Sequence, residues 1–223
     1  MTGTDTGVGK TAVAAALVLA LRARGVDAVG FKPVETGAVA GEEPDSAVLA
    51  AASGGEVPLA RPLLRLPEPL APAVAAERAG AALDPLEIET RLHALRADGR
   101  TVVVEGAGGL LVPLAWGYTA LDLAVNTGLD ALVVARPGLG TLNHVALTLE
   151  ALARRHVRVR AVALNGRRDP PDLAESTNPA ALGRLFPGLP VLVLPWRPGP
   201  SPLAVARGLV PFLEPLGGGE AAG

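Results

Sequence analysis

The stretch Gly3-Thr4-Asp5-Thr6-Gly7-Val8-Gly9-Lys10-Thr11 decides the fold that we expect for this chain. A glycine-rich segment that ends in Gly-Lys-Thr and continues into a helix is the sequence form of a phosphate-binding loop. Its glycines let main-chain N–H groups approach a phosphate, and the helix directs its positive N-terminal end at the anion. We therefore expect Lys10 to reach the terminal phosphates of a nucleotide and the Thr11 hydroxyl to ligate Mg²⁺.

The loop is one residue longer than the usual pattern. Four residues normally separate the first glycine from Gly-Lys-Thr, but that position holds Thr4, and the glycine stands one place earlier at Gly3. Only Met1 and Thr2 precede the loop. Because such a loop normally follows a buried central strand, either that strand is very short or the true chain start lies a few residues upstream. The sequence leaves both possibilities open.

The composition narrows the function classes. The chain has 223 residues, 49% of them hydrophobic, with a net charge of −2 and only 3% aromatic residues. These values favour a core-forming α/β domain and give no sign of a nucleic-acid-binding surface. No apolar run approaches the roughly 18 residues of a membrane span, and the absence of cysteine excludes thiol chemistry. We expect a cytoplasmic protein.

Lysine is used at two positions only. Of the 20 basic residues, 18 are arginine, and the lysines are Lys10 and Lys32. Arginine carries a broad planar fork, whereas lysine is a compact point charge. This usage indicates that both lysines serve chemistry.

Apolar strands and helices alternate along the chain. Strands are predicted at 28–31, 101–104, 131–135, 161–164 and 191–194, with helices after Thr11, over 46–52, 87–97 and 122–125, and from about 142. The segments 58–72 and 169–179 are predicted to lack regular structure. The pattern predicts an α/β fold, a P-loop NTPase-like three-layer sandwich with a mostly parallel central sheet. We expect one domain over 1–223, with a frayed tail after about residue 215.

The polar residues of interest follow predicted strands. Lys32 and Thr36 come after the strand 28–31, Glu105 closes the strand 101–104, and Asn165 follows the strand 161–164. In open α/β sheets, ligands bind at the carboxyl ends of the strands. An acidic residue such as Glu105 beside a phosphate loop is typical of a carboxylate that holds Mg²⁺. Asp45 is a candidate N-cap of the next helix, and capping alone is one of two interpretations of this residue.

The chain resembles the dethiobiotin synthase family over nearly its whole length. The resemblance rests on the lengthened phosphate loop and on four further motifs, Phe31-Lys32-Pro33-Val34-Glu35-Thr36-Gly37, Val104-Glu105-Gly106-Ala107-Gly108-Gly109, Gly140-Thr141-Leu142-Asn143-His144 and Leu194-Pro195-Trp196. It implies an ATP- and Mg²⁺-dependent enzyme of biotin synthesis that closes the ureido ring of 7,8-diaminopelargonate with CO₂. The implied route runs through a carbamate and a carbamic–phosphoric anhydride.

The resemblance also implies the site residues. Lys32 and Lys10 would be catalytic, Thr11, Asp45 and Glu105 would hold Mg²⁺, and Thr36 would contact the substrate. In the implied homodimer, the neighbour's helix start at Gly140, Thr141, Leu142 and Asn143 would receive the substrate carboxylate. The implied ATP-binding residues are Gly7, Val8, Gly9, Lys10, Thr11, Ala12, Asp45, Glu105, Gly106, Ala107, Gly108, Asn165, Gly166, Pro195, Trp196 and Arg197.

The chain departs from the family pattern at three points. Gly166 stands where an acidic partner of Asn165 is expected, and Ala73 stands where a histidine is common. The single tyrosine, Tyr118, is far from residues 176–178, where the family has a substrate-contacting tyrosine.

Two other functions fit parts of this sequence. A cobyrinate-type amidotransferase has a similar nucleotide domain, but it needs a glutamine-hydrolysing domain with a nucleophilic cysteine. A switch ATPase of the partitioning type carries a second lysine inside the phosphate loop and commonly ends in a basic amphipathic helix. This chain has neither feature.

Overall fold

The computed structural model describes residues 1–38, 41, 43–199, 201–213 and 216. The prediction of a frayed tail falls, apart from Leu216, on residues outside these ranges. The strands are β1 (Thr2–Gly3), β2 (Ala28–Phe31), β3 (Val34–Thr36), β4 (Leu64–Leu66), β5 (Thr101–Val104), β6 (Pro113–Ala115), β7 (Tyr118–Thr119), β8 (Ala131–Ala135), β9 (Val159–Arg167) and β10 (Val191–Pro195). The helices are α1 (Lys10–Ala23), α2 (Asp45–Ala52), α3 (Pro72–Arg78), α4 (Pro85–Ala97), α5 (Ala120–Thr127), α6 (Thr141–Arg154), α7 (Leu173–Leu185) and α8 (Pro202–Leu213).

The central sheet is parallel. Strands β1, β8, β9 and β10 pair in that order, and β2 pairs with β5. Met1 joins the two sets, because its amine donates to the Val104 carbonyl at 2.7 Å and its carbonyl accepts from the Gly106 N–H at 3.0 Å. The described strands therefore follow the order β2-β5-β1-β8-β9-β10, with the two-residue strand β1 near the middle.

Strand β8 shows why helices cover both faces of this sheet. Its side chains are all apolar and at most 6% exposed. Leu132 and Val134 belong to a core with residues of α1, α2 and α8, whereas Ala131, Val133 and Ala135 belong to a core with residues of α6 and α7. Successive side chains of a strand point to opposite faces, so a continuous apolar run requires a helical layer on each side. The predicted fold class, a three-layer α/β sandwich with a parallel sheet, is confirmed.

Two segments predicted to lack regular structure are partly regular, so those predictions are wrong. Strand β4 lies within 58–72 and pairs in parallel with β3. Helix α7 begins within 169–179 even though Pro179 is inside it. A capping box starts this helix, since Asp172 accepts from the Glu175 N–H at 2.8 Å and Glu175 accepts in return from the Asp172 N–H at 3.3 Å. Such a box satisfies N–H groups that a helix start leaves open.

Within the described residues, every helix is too short or too polar to cross a bilayer.

Candidate active site

The glycine-rich loop lies between β1 and α1, at the carboxyl edge of the sheet. Gly9 holds the N-cap position of α1 with φ 90°, and no side chain caps the helix. Lys10 is the first residue of the helix, is 6% exposed, and donates from Nζ to the Asp5 carbonyl at 3.0 Å. Burial lowers the pKa of Lys10, although Glu105 acts in the opposite direction. The loop thus presents an uncapped helix start and a lysine at one place, which suits an anion.

The absence of a side chain at Gly9 leaves space for a contact between the loop and strand β9. Asn165 donates from Nδ2 to the Val8 carbonyl at 3.0 Å. A Cβ on residue 9 would lie 2.1 Å from that nitrogen, and the positive φ already disfavours a side chain there. Glycine is therefore favoured at this position both by the backbone angle and by the space that the Asn165 amide occupies.

Four polar side chains from separate elements form a cluster beside the loop. Lys32 follows β2 and is 7% exposed, and its ammonium bonds to Asp45 and, at 3.0 Å, to Glu105 Oε1. Thr11 Oγ1 donates to the same Glu105 oxygen at 2.8 Å. The structure thus brings together the lysine, the hydroxyl and the two carboxylates that the sequence singled out.

Burial and charge act against each other in this cluster. Glu105 is 1% exposed, and burial raises the pKa of its carboxyl group even though Lys32 opposes the shift. Burial alone would lower the pKa of Lys32, but the neighbouring carboxylates Glu105 and Asp45 outweigh it, so that pKa is raised. Lys32 is therefore held as a cation at neutral pH.

Asp45 is not the N-cap of α2, so that alternative is wrong. Asp45 is the first helical residue, and Pro44 holds the cap position with φ −68° and ψ 149°. Its carboxylate pairs with Lys32 instead of with the helix.

Two cavities open on either side of the loop, and Gly7 and Gly9 line both. The first, which we call the lysine cavity, has a volume of about 500 Å³. It is lined by the four-residue cluster, by Lys10, Thr36, Ala107 and Gly108, and by the segment 69–72. The second, which we call the tryptophan cavity, has a volume of about 760 Å³. Its lining includes Val8, Asn165, Gly166 and Trp196.

The other predicted site residues lie outside these two linings. Ala12 is part of α1, Gly106 is a buried residue that follows Glu105 in the chain, and Pro195 ends β10. The Arg197 guanidinium lies 6.0 Å from the centre of the Phe212 ring. Gly140, Thr141, Leu142 and Asn143 line neither cavity of their own chain.

The sequence interpretation missed two arginines at the tryptophan cavity, Arg136 and Arg168, which both line it. For residues 68–72 the sequence allows a surface loop over a site or a plain connector, and residues 69–72 line the lysine cavity. Arg136 directly follows β8. The rule that ligands bind at carboxyl strand ends would have identified it.

The oxygen donors of the lysine cavity fit Mg²⁺. Glu105 Oε2 is buried without a hydrogen-bond partner, and Thr11 and Asp45 add a hydroxyl and a second carboxylate. Mg²⁺ is usually bound through one or two carboxylates together with water and phosphate oxygens. In the part of the chain that the structure describes, no group of three or more His, Cys, Asp or Glu residues is arranged for a metal.

The parallel sheet, the glycine-rich loop with its lysine and the carboxylate closing β5 define a P-loop nucleoside triphosphatase-type protein. A family model described as an AAA domain matches residues 1–202. The chain is 49% identical to the ATP-dependent dethiobiotin synthetase BioD of Anaeromyxobacter dehalogenans (strain 2CP-C), covering 94% of this chain and 95% of that protein. It is 48% identical to the protein of that name from Mycobacterium tuberculosis (strain ATCC 25177 / H37Ra), covering 83% and 81%. The chain belongs to the ATP-dependent dethiobiotin synthetase family.

This membership confirms the resemblance and the prediction of an ATP-dependent ligase of biotin biosynthesis. The partitioning-type switch ATPase is not favoured.

Proposed function

We propose that this chain closes the ureido ring of 7,8-diaminopelargonate with CO₂, using ATP and Mg²⁺. The observation that carries the proposal is the position of Lys32, whose ammonium lies between Asp45 and Glu105 and beside Thr11 of the phosphate loop. Phosphoryl transfer depends mainly on positioning and charge neutralisation, and this cluster supplies both at the edge of a substrate-sized cavity.

The nucleotide would lie across the loop, between the two cavities. Its triphosphate would face Lys10 and the N–H groups at the start of α1, at the lysine cavity. Its base would lie in the tryptophan cavity, beside Asn165 and the exposed face of Trp196. Gly7 and Gly9 line both cavities, so one nucleotide could reach from one cavity into the other along the loop.

Thr11, Asp45 and Glu105 would hold Mg²⁺. The metal would supply charge neutralisation on the triphosphate. The buried, unpartnered Oε2 of Glu105 is the oxygen with the clearest need of a ligand.

Lys32 would act on the reacting atoms. After one amine of the substrate takes up CO₂, a carbamate oxygen attacks the γ-phosphorus, and the bond to the bridging oxygen breaks to release ADP. The second amine then attacks the carbamate carbon, and phosphate leaves. A fixed cation stabilises the negative charge of the carbamate and of the transferring phosphoryl group, and the raised pKa keeps Lys32 in that form.

A homodimer would complete the substrate site. Thr36 lies at the lysine cavity and would contact the amine end of the substrate. The start of α6 lies outside that cavity within one chain and carries no side-chain cap, so a second chain would bring it to the carboxylate end.

We propose one domain for the chain and the cytoplasm as its compartment, where ATP is available.

One assay tests the reaction. ADP release is expected to require both 7,8-diaminopelargonate and bicarbonate, with dethiobiotin identified as the product by mass spectrometry. ADP release at an equal rate without the diamine would overturn the proposed function and favour a simple ATPase.

Two substitutions test the metal ligands. Asp45→Asn and Glu105→Gln keep the side-chain shape but remove a charge from a site that prefers anionic oxygen. We expect each to raise the Mg²⁺ concentration for half-maximal activity by about tenfold, the scale of a weakened metal shell. The measurement is the initial rate over a series of MgCl₂ concentrations.

Glu43→Gln is the matched control for this test. Glu43 is an exposed carboxylate two residues before Asp45, so its loss changes the net charge equally. An equal shift in all three variants would point to a general charge effect and would remove Asp45 and Glu105 from the metal site.

A further inference from the structure

Glu35 is a buried carboxylate directly behind the lysine cavity. It is 4% exposed and lies in β3 next to Thr36. Because neighbouring side chains of a strand point to opposite faces, Thr36 lines the cavity while Glu35 points away from it, toward α2. None of the chemistry proposed above uses Glu35.

The contacts of Glu35 are at the start of α2. Its Oε1 accepts from the main-chain N–H of Ser46 at 2.5 Å. Its Oε2 accepts from Ser46 Oγ at 3.0 Å and from Arg65 Nε at 2.8 Å. Arg65 also donates to Ser46 Oγ. Three elements, β3, β4 and α2, therefore meet at this one carboxylate.

Helix α2 has no side-chain cap of its own. Pro44 holds the cap position and has no polar side chain, yet the first N–H groups of a helix need acceptors. Glu35 supplies the acceptor from another strand, and its negative charge lies at the positive end of the helix. The N–H that it binds belongs to Ser46, the residue directly after Asp45.

We propose that Glu35 is the positioning residue for Asp45. By fixing the main chain of Ser46, it fixes the point from which the Asp45 carboxylate reaches toward Lys32 and the Mg²⁺ site. Glu35 touches neither substrate nor metal, so its effect passes through Asp45. This inference rests on the metal role proposed above for Asp45.

The other end of α2 offers a matched control. Ser53 Oγ accepts from the Gly30 N–H at 3.0 Å and donates to the Leu49 carbonyl at 2.7 Å. Ser53 is 6% exposed and Glu35 is 4% exposed, so the two side chains are similarly buried. Ser53→Ala therefore weakens the anchoring of the same helix but leaves its start, and hence Asp45, in place.

The test measures metal binding without turnover. Binding of a non-hydrolysable ATP analogue is followed by calorimetry over a series of MgCl₂ concentrations, and the folded state is checked by circular dichroism and thermal unfolding. We expect Glu35→Ala to raise the Mg²⁺ concentration for half-maximal binding about tenfold, the effect of losing a group that orients a metal ligand. Glu35→Gln should raise it less, because its amide oxygen still accepts from Ser46. Ser53→Ala should lower the unfolding temperature without moving the Mg²⁺ midpoint.

A double-mutant cycle shows whether Glu35 acts through Asp45. In an Asp45→Asn background, adding Glu35→Ala should change the Mg²⁺ midpoint by less than about twofold, since coupled residues are not additive. Full additivity would overturn the proposal, and so would Glu35 variants that unfold more easily but keep the wild-type midpoint. If Glu35→Ala does not fold, Glu35→Gln carries the same test. If Asp45→Asn alone leaves the midpoint unchanged, the metal role of Asp45 fails, and this inference fails with it.

Discussion

Lys32→Ala is expected to lower turnover by about a hundredfold or more, the scale of losing one group that stabilises transition-state charge. Lys32 is 7% exposed and bonds to Asp45 and Glu105. A cation from solvent would not be held in the same position, so the variant loses this fixed positive charge. Affinity for ATP should change little, because Lys10 and the loop remain.

The measurement pairs steady-state kinetics with calorimetric nucleotide binding. Lys10→Ala is the contrasting variant, since it removes the charge proposed to face the phosphates and should weaken nucleotide binding as well. Lys32→Met keeps most of the side-chain volume and separates the loss of charge from the loss of packing. Turnover near the wild-type value in Lys32→Met would remove Lys32 from the catalytic role.

Mixing two inactive variants is expected to restore activity. If Lys32 of one chain and Asn143 of its neighbour serve the same site, homodimers of Lys32→Ala and of Asn143→Ala are each impaired at both sites. When the two variants are refolded together, about half of the dimers are hybrids. Each hybrid has one site that carries both defects and one intact site. About a quarter of all sites are then intact, so activity should return to about a quarter of wild type.

The structure motivates this experiment through the start of α6. Gly140 holds the cap position with φ 92° and no side-chain cap, Asn143 is exposed, and neither lines the lysine cavity of its own chain. Leu139, next to this helix start, is 98% exposed. An uncapped helix start suits a carboxylate.

A second mixture provides the control. Lys32 and Asp45 belong to one lysine cavity within one chain, so hybrids of Lys32→Ala with Asp45→Asn have a defect at both sites. At a Mg²⁺ concentration well below the raised midpoint of Asp45→Asn, this mixture should show no activity above that of the two homodimers. Absence of recovery in the Lys32 and Asn143 mixture, with hybrids demonstrated by native mass spectrometry, would place both residues in one chain's site.

Much of the central sheet could be predicted from the sequence. Strands β2, β5 and β8 have the predicted bounds, because each is a short apolar run ended by polar, proline or glycine residues. The juxtaposition of Lys32 with Glu105 followed from the same pattern, since carboxyl strand ends meet at one edge.

Helix α7 carries a local signal, since the Asp172 and Glu175 capping box marks its start, but the polar composition of residues 169–179 favours an irregular segment. Other contacts are not encoded by local sequence. Glu35 meets Ser46 and Arg65 only because β3, β4 and α2 converge. No spacing rule links three residues so far apart in the chain.

The glycine-rich loop forms a wall that both cavities share, and this has a consequence for re-engineering nucleotide preference. Gly166 and Trp196 lie on one side of that wall, and Lys32 and Glu105 lie on the other. On the nucleotide placement proposed above, substitutions that change the preferred base can therefore be made without disturbing the proposed reacting end. Asn165 is the exception, because its amide bonds to the Val8 carbonyl and occupies the space that a side chain at Gly9 would need. A redesigned protein has to keep that amide or supply another donor to Val8.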